Sequence, residues 1–251
     1  MSATPPLGPE ELKEMPITAH LIELRSHLVR IVSLILGLFL VLVYFSGNLY
    51  ELLSAPLRAQ LPANASMIAT DITSNFMVPI KLTLFVCVFL AMPYILHQLW
   101  QFIAPGLYKH EKKIAVPLLI SSVLLFYAGV AFAYFVTLPG VLHFFILFSP
   151  DSVIPMTDIN SYLSFALKLF LVFGITFEIP VATLLLILAG FVTTQSLSEK
   201  RRYIIVGCFA VAMVFTPPDA LSMLMLAIPM WLLFELGLFF GRFVEGQRAS
   251  D

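Results

Sequence analysis

Charge is what this sequence has least of. Only 12% of its 251 residues are Asp, Glu, Lys or Arg, about half the share of an ordinary soluble domain. With 60% of the chain hydrophobic, a water-soluble fold is excluded and an integral membrane protein is implied. The net charge is −1, so the chain lacks the basic field that nucleic-acid binding draws on. Cysteine is nearly absent. Cys87 and Cys208 both lie inside apolar segments, where a thiol behaves as a small hydrophobe, and their spacing offers neither a disulfide framework nor a metal site. The N-terminal stretch MSATPPLGPEELKEMPITAH is polar and acidic. It lacks the basic-then-apolar order of a cleavable leader, so the first apolar segment is expected to remain as a span. Internal repeats and the alternating pattern of barrel strands are missing too.

What is present is a series of apolar runs. Crossing a bilayer core of about 30 Å takes about 20 helical residues, and backbone groups in lipid must be satisfied internally. Six transmembrane helices are therefore expected, at about 28–45, 76–100, 115–136, 161–189, 203–215 and 221–240. They form a single transmembrane domain over 1–251, with a flexible cytoplasmic tail at 1–16 and a second tail at 244–251. Pro79 and Pro93 lie inside the second run. The fifth run reaches only ~20 Å at helical rise, and TPPD ends it because proline cannot continue a helix. Helices five and six are thus expected to make a shallow hairpin with its turn below the far membrane surface. Orientation follows from basic residues. Lys13, Arg25, Arg30, Lys109, Lys112, Lys113, Lys200, Arg201, Arg202, Arg242 and Arg248 fall on one side, whereas the loops of the other side hold only Arg58. Both termini are read as cytoplasmic. In the first outer loop, NLYELLSAPLRAQL is expected to form a short surface helix broken at Pro56.

Several polar residues need explaining. Glu178, in LVFGITFEIPVATLLLIL, sits near mid-depth, where an acidic residue costs about 2.5–3.5 kcal/mol on insertion scales. Pro180 leaves the carbonyl of Thr176 unbonded and should kink the helix there. The carboxyl is either a structural interhelical hydrogen-bonding group or a polar point in a cavity. Asp219 of TPPD suits a turn or a helix cap. Glu235 is read as structurally paired, and Lys81 and Lys168 as long amines reaching the outer surface. HLIELRSHLVR places Ile17, Leu21, Leu24 and Leu28 at helical spacing and leads into the first span. Glu23 and Arg25 are about 200° apart around that helix and cannot act as one pair; Glu23–His27 is the ordinary alternative. FIAPGLYKHEKK carries a Pro105–Gly106 turn and sets Glu111 among Lys109, Lys112 and Lys113.

In their order, HLIELR, APL, FIAPGLYKHEKK, AFAYF, FGITFEIPV, TPPD and AIPM resemble the TatC family, the multi-spanning core subunit of the twin-arginine (Tat) protein translocase. The resemblance implies a concave, glove-like six-helix fold with short fifth and sixth helices in the bacterial cytoplasmic membrane. It implies a signal-peptide receptor that works with TatA and TatB, exports folded cargo on the proton motive force, forms homo-oligomers, contacts membrane lipids, and is not an enzyme. It places the twin-arginine site around Glu23 and Glu111, with Leu21, Arg25, Pro105, Tyr108, Lys109 and Lys112 of the same two motifs. Two separated carboxylates suit two planar guanidinium forks, which lysine cannot copy. Glu178 and Asp219 become polar residues of a membrane cavity. Thr216, Pro217, Ser222 and Met223 mark the partner-helix contact, where the family's usual glutamine is absent. No cofactor or metal is expected. The alternative is an ion-coupled secondary transporter using Glu178, which paired broken helices or repeats would favour. An intramembrane enzyme would need a nucleophile–base pair or metal cluster at depth, and none is visible.

Overall fold

The computed structural model describes residues 17–60, 67–103, 112–148, 157–216 and 220–248. They are almost wholly helical. The order is α1 (Ile17–Leu42), a 3-10 turn (Val43–Phe45), α2 (Ser46–Gln60), α3 (Ser74–Ile103), α4 (Lys112–Phe132), a π-helical turn (Ala133–Thr137) and α5 (Leu138–Leu147). There follow α6 (Ile159–Thr176), α7 (Ile179–Leu188), α8 (Thr194–Glu199), α9 (Arg201–Phe215) and α10 (Ala220–Arg248). Two short strands, β1 (Met67–Ile68) and β2 (Thr157–Asp158), pair in parallel with Met67 opposite Thr157. Among the described residues, five helical stretches are long and apolar enough to cross a membrane: Leu24–Ala55, Ser74–Gln101, Val116–Leu147, Ile159–Leu188 and Ala220–Phe243. The expected shortness falls on α9, whose 15 residues rise about 22 Å. By contrast α10 runs for 29 residues.

Proline does less damage than the sequence suggests. The expected break at Pro56 is not found, and α2 runs unbroken from Ser46 to Gln60. Proline at 56 removes the donor that would bond the Leu52 carbonyl. The Tyr134 hydroxyl donates to that oxygen at 3.2 Å, and the Tyr162 hydroxyl donates to the neighbouring Leu53 carbonyl at 3.1 Å. The same device recurs in α3. Pro93 strips the carbonyl of Phe89, and the Tyr127 hydroxyl donates to it at 2.9 Å. A side-chain donor takes the place of the water that lipid does not supply. The third apolar run likewise continues as helix beyond Val136 to Leu147. The π turn precedes Pro139, which falls in the first turn of α5, where the lost N–H is tolerated.

At Pro180 the helix does divide. Phe177 and Glu178 form a turn between α6 and α7. Glu178 N donates back to Ile175 O at 3.0 Å, a tightened three-residue reach, and Ala182 N restores the ladder onto Glu178 O at 2.8 Å. The kink expected at this point is present.

The core gathers around α6. Leu163, Ala166, Leu167 and Phe173 are buried there against Leu82 of α3, Leu138 of α5, Ala212 of α9 and Leu226 of α10. Glycine lets α4 approach α6 closely. A Cβ on Gly129 would lie 2.6 Å from the Phe173 carbonyl oxygen. Helix α1 instead leaves Leu28, Val32, Leu36 and Leu40 exposed, the outward face expected of a helix solvated by lipid. At the loop end, Lys81 donates to Asn160 Oδ1 at 3.0 Å. Asp158 caps α6. One carboxylate oxygen accepts from Ser161 N and Oγ, each at 2.9 Å, and the other from Thr70 Oγ1 at 2.8 Å and Thr70 N at 3.2 Å. The Ser161 amide, followed by the Thr70 hydroxyl, pulls its pKa down to about 2.

Candidate functional site

Helix α1 carries the first motif and places Arg25 on an exposed face. Leu21 and Glu23 lie on the same helix, but their side chains are outside the described set. Pro105, Tyr108, Lys109 and Glu111 also lie outside the described residues; Lys112 opens α4. What the structure describes is the helices that flank these motifs. Helix α3 leads into the second motif at Ile103, and α4 leaves it at Lys112. His27, one turn after Glu23, donates from Nδ1 to Gln98 Oε1 near the end of α3. That bond ties the first motif to the helix that delivers the second. Sequence reasoning offered a Glu23–His27 pair and passed over Gln98. The missed signal was a polar amide in the apolar second run, and Gln98 is only 4% exposed. His97, its neighbour, faces outward and bonds Gln101 instead, at 3.0 Å.

Glu178 occupies the turn between α6 and α7, ten residues before Leu188, or about 15 Å at helical rise. It is half-buried. Ser122 of α4 donates its hydroxyl to Glu178 Oε2. The other oxygen, Oε1, is buried and meets no donor among the described residues. Thus one side of the carboxyl is held by α4, while the other keeps an unused acceptor at the kink. An acceptor-rich group so placed can receive a polar hydrogen or a cation at depth. Ser122 was not anticipated, because a lone serine in an apolar run carries no signal by itself.

The third cluster is the α9–α10 hairpin. Thr216 ends α9, with both its N and its Oγ1 donating to Ala212 O, at 2.9 and 2.8 Å. Thr216 and Ser222 are buried, and Met223 packs against the core. Pro217 and Asp219 lie outside the described residues. Phe215 and Leu224 expose apolar surface beside the turn. Glu235 is indeed paired: Arg201 Nη2 donates to Glu235 Oε2 at 2.8 Å. The contact sets the start of α9 against the later half of α10, so the two helices run antiparallel. Among the described residues, no group of three His, Cys, Asp or Glu is placed to hold a metal.

These positions fall within known relationships. A family model described as "Sec-independent protein translocase protein (TatC)" matches residues 19–229. A protein of that name from Azotobacter chroococcum mcd 1 is 57% identical over 246 residues, covering 97% of this chain and 96% of its own. One from Escherichia coli (strain K12) is 52% identical over 232 residues, covering 92% and 90%. A solved structure titled "Crystal Structure of Twin Arginine Translocase Receptor- TatC" superposes with a TM-score of 0.79 at 37% identity, covering 89% of this chain and 98% of that one.

Proposed function

Since the chain belongs to the TatC family of Sec-independent protein translocase proteins, we propose that it is the receptor for twin-arginine signal peptides and reads both arginines with Glu23 and Glu111. It is a multi-pass membrane protein and a core subunit of the Tat translocase, a component of the Tat complex rather than an enzyme. The chain is a single transmembrane domain with six crossings, α9 among them. Both termini, with the tails 1–16 and 244–251, lie on the cytoplasmic side of a bacterial inner membrane. TatA and TatB are its single-span partners, it works as a homo-oligomer within the receptor complex, and the proton motive force drives export of folded cargo.

The observation that carries the receptor reading is the His27–Gln98 hydrogen bond. It braces the helix bearing Glu23 against the helix that runs into the Glu111 segment, which supports two acids acting on one peptide. Each carboxylate can pair bidentately with one guanidinium. Lysine, a point charge without the fork, is rejected at both positions. Arg25 and Leu21 on α1, and Pro105, Tyr108, Lys109 and Lys112 on the second motif, frame the peptide. Glu178 and Asp219 act later, as polar landing points for the inserted signal hairpin or a partner helix. The partner helix docks at the α9–α10 hairpin around Thr216, Pro217, Ser222 and Met223.

The test is site-specific crosslinking of a labelled signal peptide to the solubilised full-length protein. Arg-Arg and Lys-Lys peptides are compared on wild type and on Glu111→Gln. Arg-Arg peptide is expected to crosslink beside both Glu23 and Glu111, and both the Lys-Lys peptide and the variant are expected to fail. Binding that ignores the arginines would overturn the assignment of Glu111.

A further inference from the structure

The Arg201–Glu235 pair lies in a groove apart from the residues assigned above to peptide and partner binding. The groove holds about 510 Å³ between the start of α9 and the later half of α10, and Arg201, Leu232, Glu235, Leu236, Phe239 and Arg242 line it. This volume falls in the range of small-molecule sites, about 300–1,000 Å³. On α10 the lining residues recur at helical spacing and share one face. The face is graded. Leu232, Leu236 and Phe239 are exposed and apolar, and Arg242 stands at the end of the apolar stretch Ala220–Phe243.

The charges do not balance. Glu235 accepts from Arg201 Nη2, leaving Arg242 as a second guanidinium in the groove. The Nε–H of Arg201 is buried and meets no acceptor among the described residues. Glu245, the nearest acid further along α10, is engaged by Thr194 N and Oγ1. Glu199 accepts from Gln195 and lines a separate cleft on the other side of Arg242. Lys200 and Arg202 flank Arg201 in sequence and are exposed, so the surroundings of the groove are basic as well.

We propose that this groove binds one anionic glycerophospholipid, its phosphate between Arg201 and Arg242 and one acyl chain along Leu232, Leu236 and Phe239. A phosphate diester supplies acceptors for the Arg242 fork and for the exposed part of the Arg201 guanidinium, whose side chain is 41% exposed. A lipid also matches a site that is charged and apolar at once, which a free anion does not. Basic pockets between helices at the membrane boundary are the usual form of headgroup recognition. The short α9 makes such a ligand useful, because a lipid seated at the base of the α9–α10 hairpin fixes the depth at which the hairpin meets the bilayer.

The test is native mass spectrometry of the full-length protein in detergent, titrated with dioleoyl phosphatidylglycerol or with dioleoyl phosphatidylcholine. Wild type is expected to retain phosphatidylglycerol at about fivefold lower concentration than Arg242→Gln, the effect of about 1 kcal/mol for one basic residue near a membrane surface. Arg202→Gln, whose guanidinium instead stacks on Tyr203 at 4.9 Å, should bind as wild type does. Glu235→Gln removes the competing carboxylate and should raise retention, a gain that misfolding cannot mimic. Phosphatidylcholine should bind more weakly, and millimolar inorganic phosphate should not displace the lipid. Equal binding by Arg242→Gln, an equal loss in Arg202→Gln, or no gain in Glu235→Gln would overturn the site. Displacement by inorganic phosphate would show a free-anion site instead of a lipid site.

Discussion

A tyrosine hydroxyl facing a proline-freed carbonyl does a different job in lipid from the one it does in water. In water the carbonyl of Leu52 or Phe89 would be hydrated; where lipid excludes water, its side-chain donor among the described residues is Tyr134 or Tyr127. Leaving such a group unsatisfied costs about 1–3 kcal/mol. Tyr134→Phe and Tyr127→Phe are therefore each expected to lower stability by about that amount in equilibrium unfolding from detergent, although each removes a single oxygen. No change in either variant would mean that the freed carbonyls are satisfied in another way. Glu178 is set by the same bookkeeping of donors and acceptors. Glu178→Gln keeps an acceptor for Ser122 and a polar point at the kink, whereas Glu178→Ala removes both. Export of a twin-arginine reporter, at matched levels of the protein in the membrane, should survive the glutamine and fall about fivefold or more with alanine, consistent with about 1–3 kcal/mol for a buried polar group left without its partner. Full export with alanine would remove Glu178 from the mechanism. The sequence made both prolines and the acid conspicuous. It could not show which distant hydroxyl meets which carbonyl, and so Pro56 read as a break when it is a repaired position.

Among the elements, the loop end is held by the Asp158 clamp, which joins the cap of α6 to Thr70 next to β1. Its pKa in the folded protein, about 2, lies below its ordinary value of 3.8. A carboxylate depressed in this way adds stability that is fully present above its unfolded pKa and is lost as pH falls through the folded one. The expected signature is a wild-type melting temperature that Asp158 leaves independent of pH near neutrality and that declines between about pH 4 and about pH 2. Asp158→Asn should already be less stable at pH 7, and its difference from wild type should shrink over that window. A difference that stays constant down to pH 2 would show that the carboxylate is not the titrating group. No pattern in the sequence announced this clamp. Asp158 stands among ordinary loop residues, and strands of two residues lie below any readable period. The long helices were legible for the opposite reason. Twenty apolar residues in a row have one solution in lipid, so composition alone located α3, α6 and α10 and even the fault at Pro180. Their ends were harder to place, since turns such as the π turn at Ala133–Thr137 let helix continue into stretches that read as loop.

At the scale of the whole molecule, the distribution of basic residues and the antiparallel α9–α10 pair make one joint statement about topology. Arg201 meets Glu235, so the start of α9 and the later half of α10 share a level. From that level α9 climbs 15 residues to Phe215, about 22 Å, and α10 descends again from Ala220. The bilayer core is about 30 Å thick, so on the proposed topology a hairpin anchored at the basic surface has its tip short of the opposite one. The membrane must thin there, or neighbouring helices must shelter the turn. This can be read directly with single cysteines in a background where Cys87 and Cys208 are replaced by serine or alanine. A membrane-impermeant maleimide added to spheroplasts should label Thr70→Cys quickly and Arg248→Cys only after lysis. On the proposed topology, in which α9 crosses and the tip is recessed, Ala220→Cys should react from the outside but more slowly than Thr70→Cys. Labelling of Ala220→Cys only after lysis would mean that α9 does not cross and that the assignment of both termini to one side fails. Labelling as fast as Thr70→Cys would place the tip at the surface, and the membrane would then have to be thin enough around the hairpin for 15 helical residues to span it.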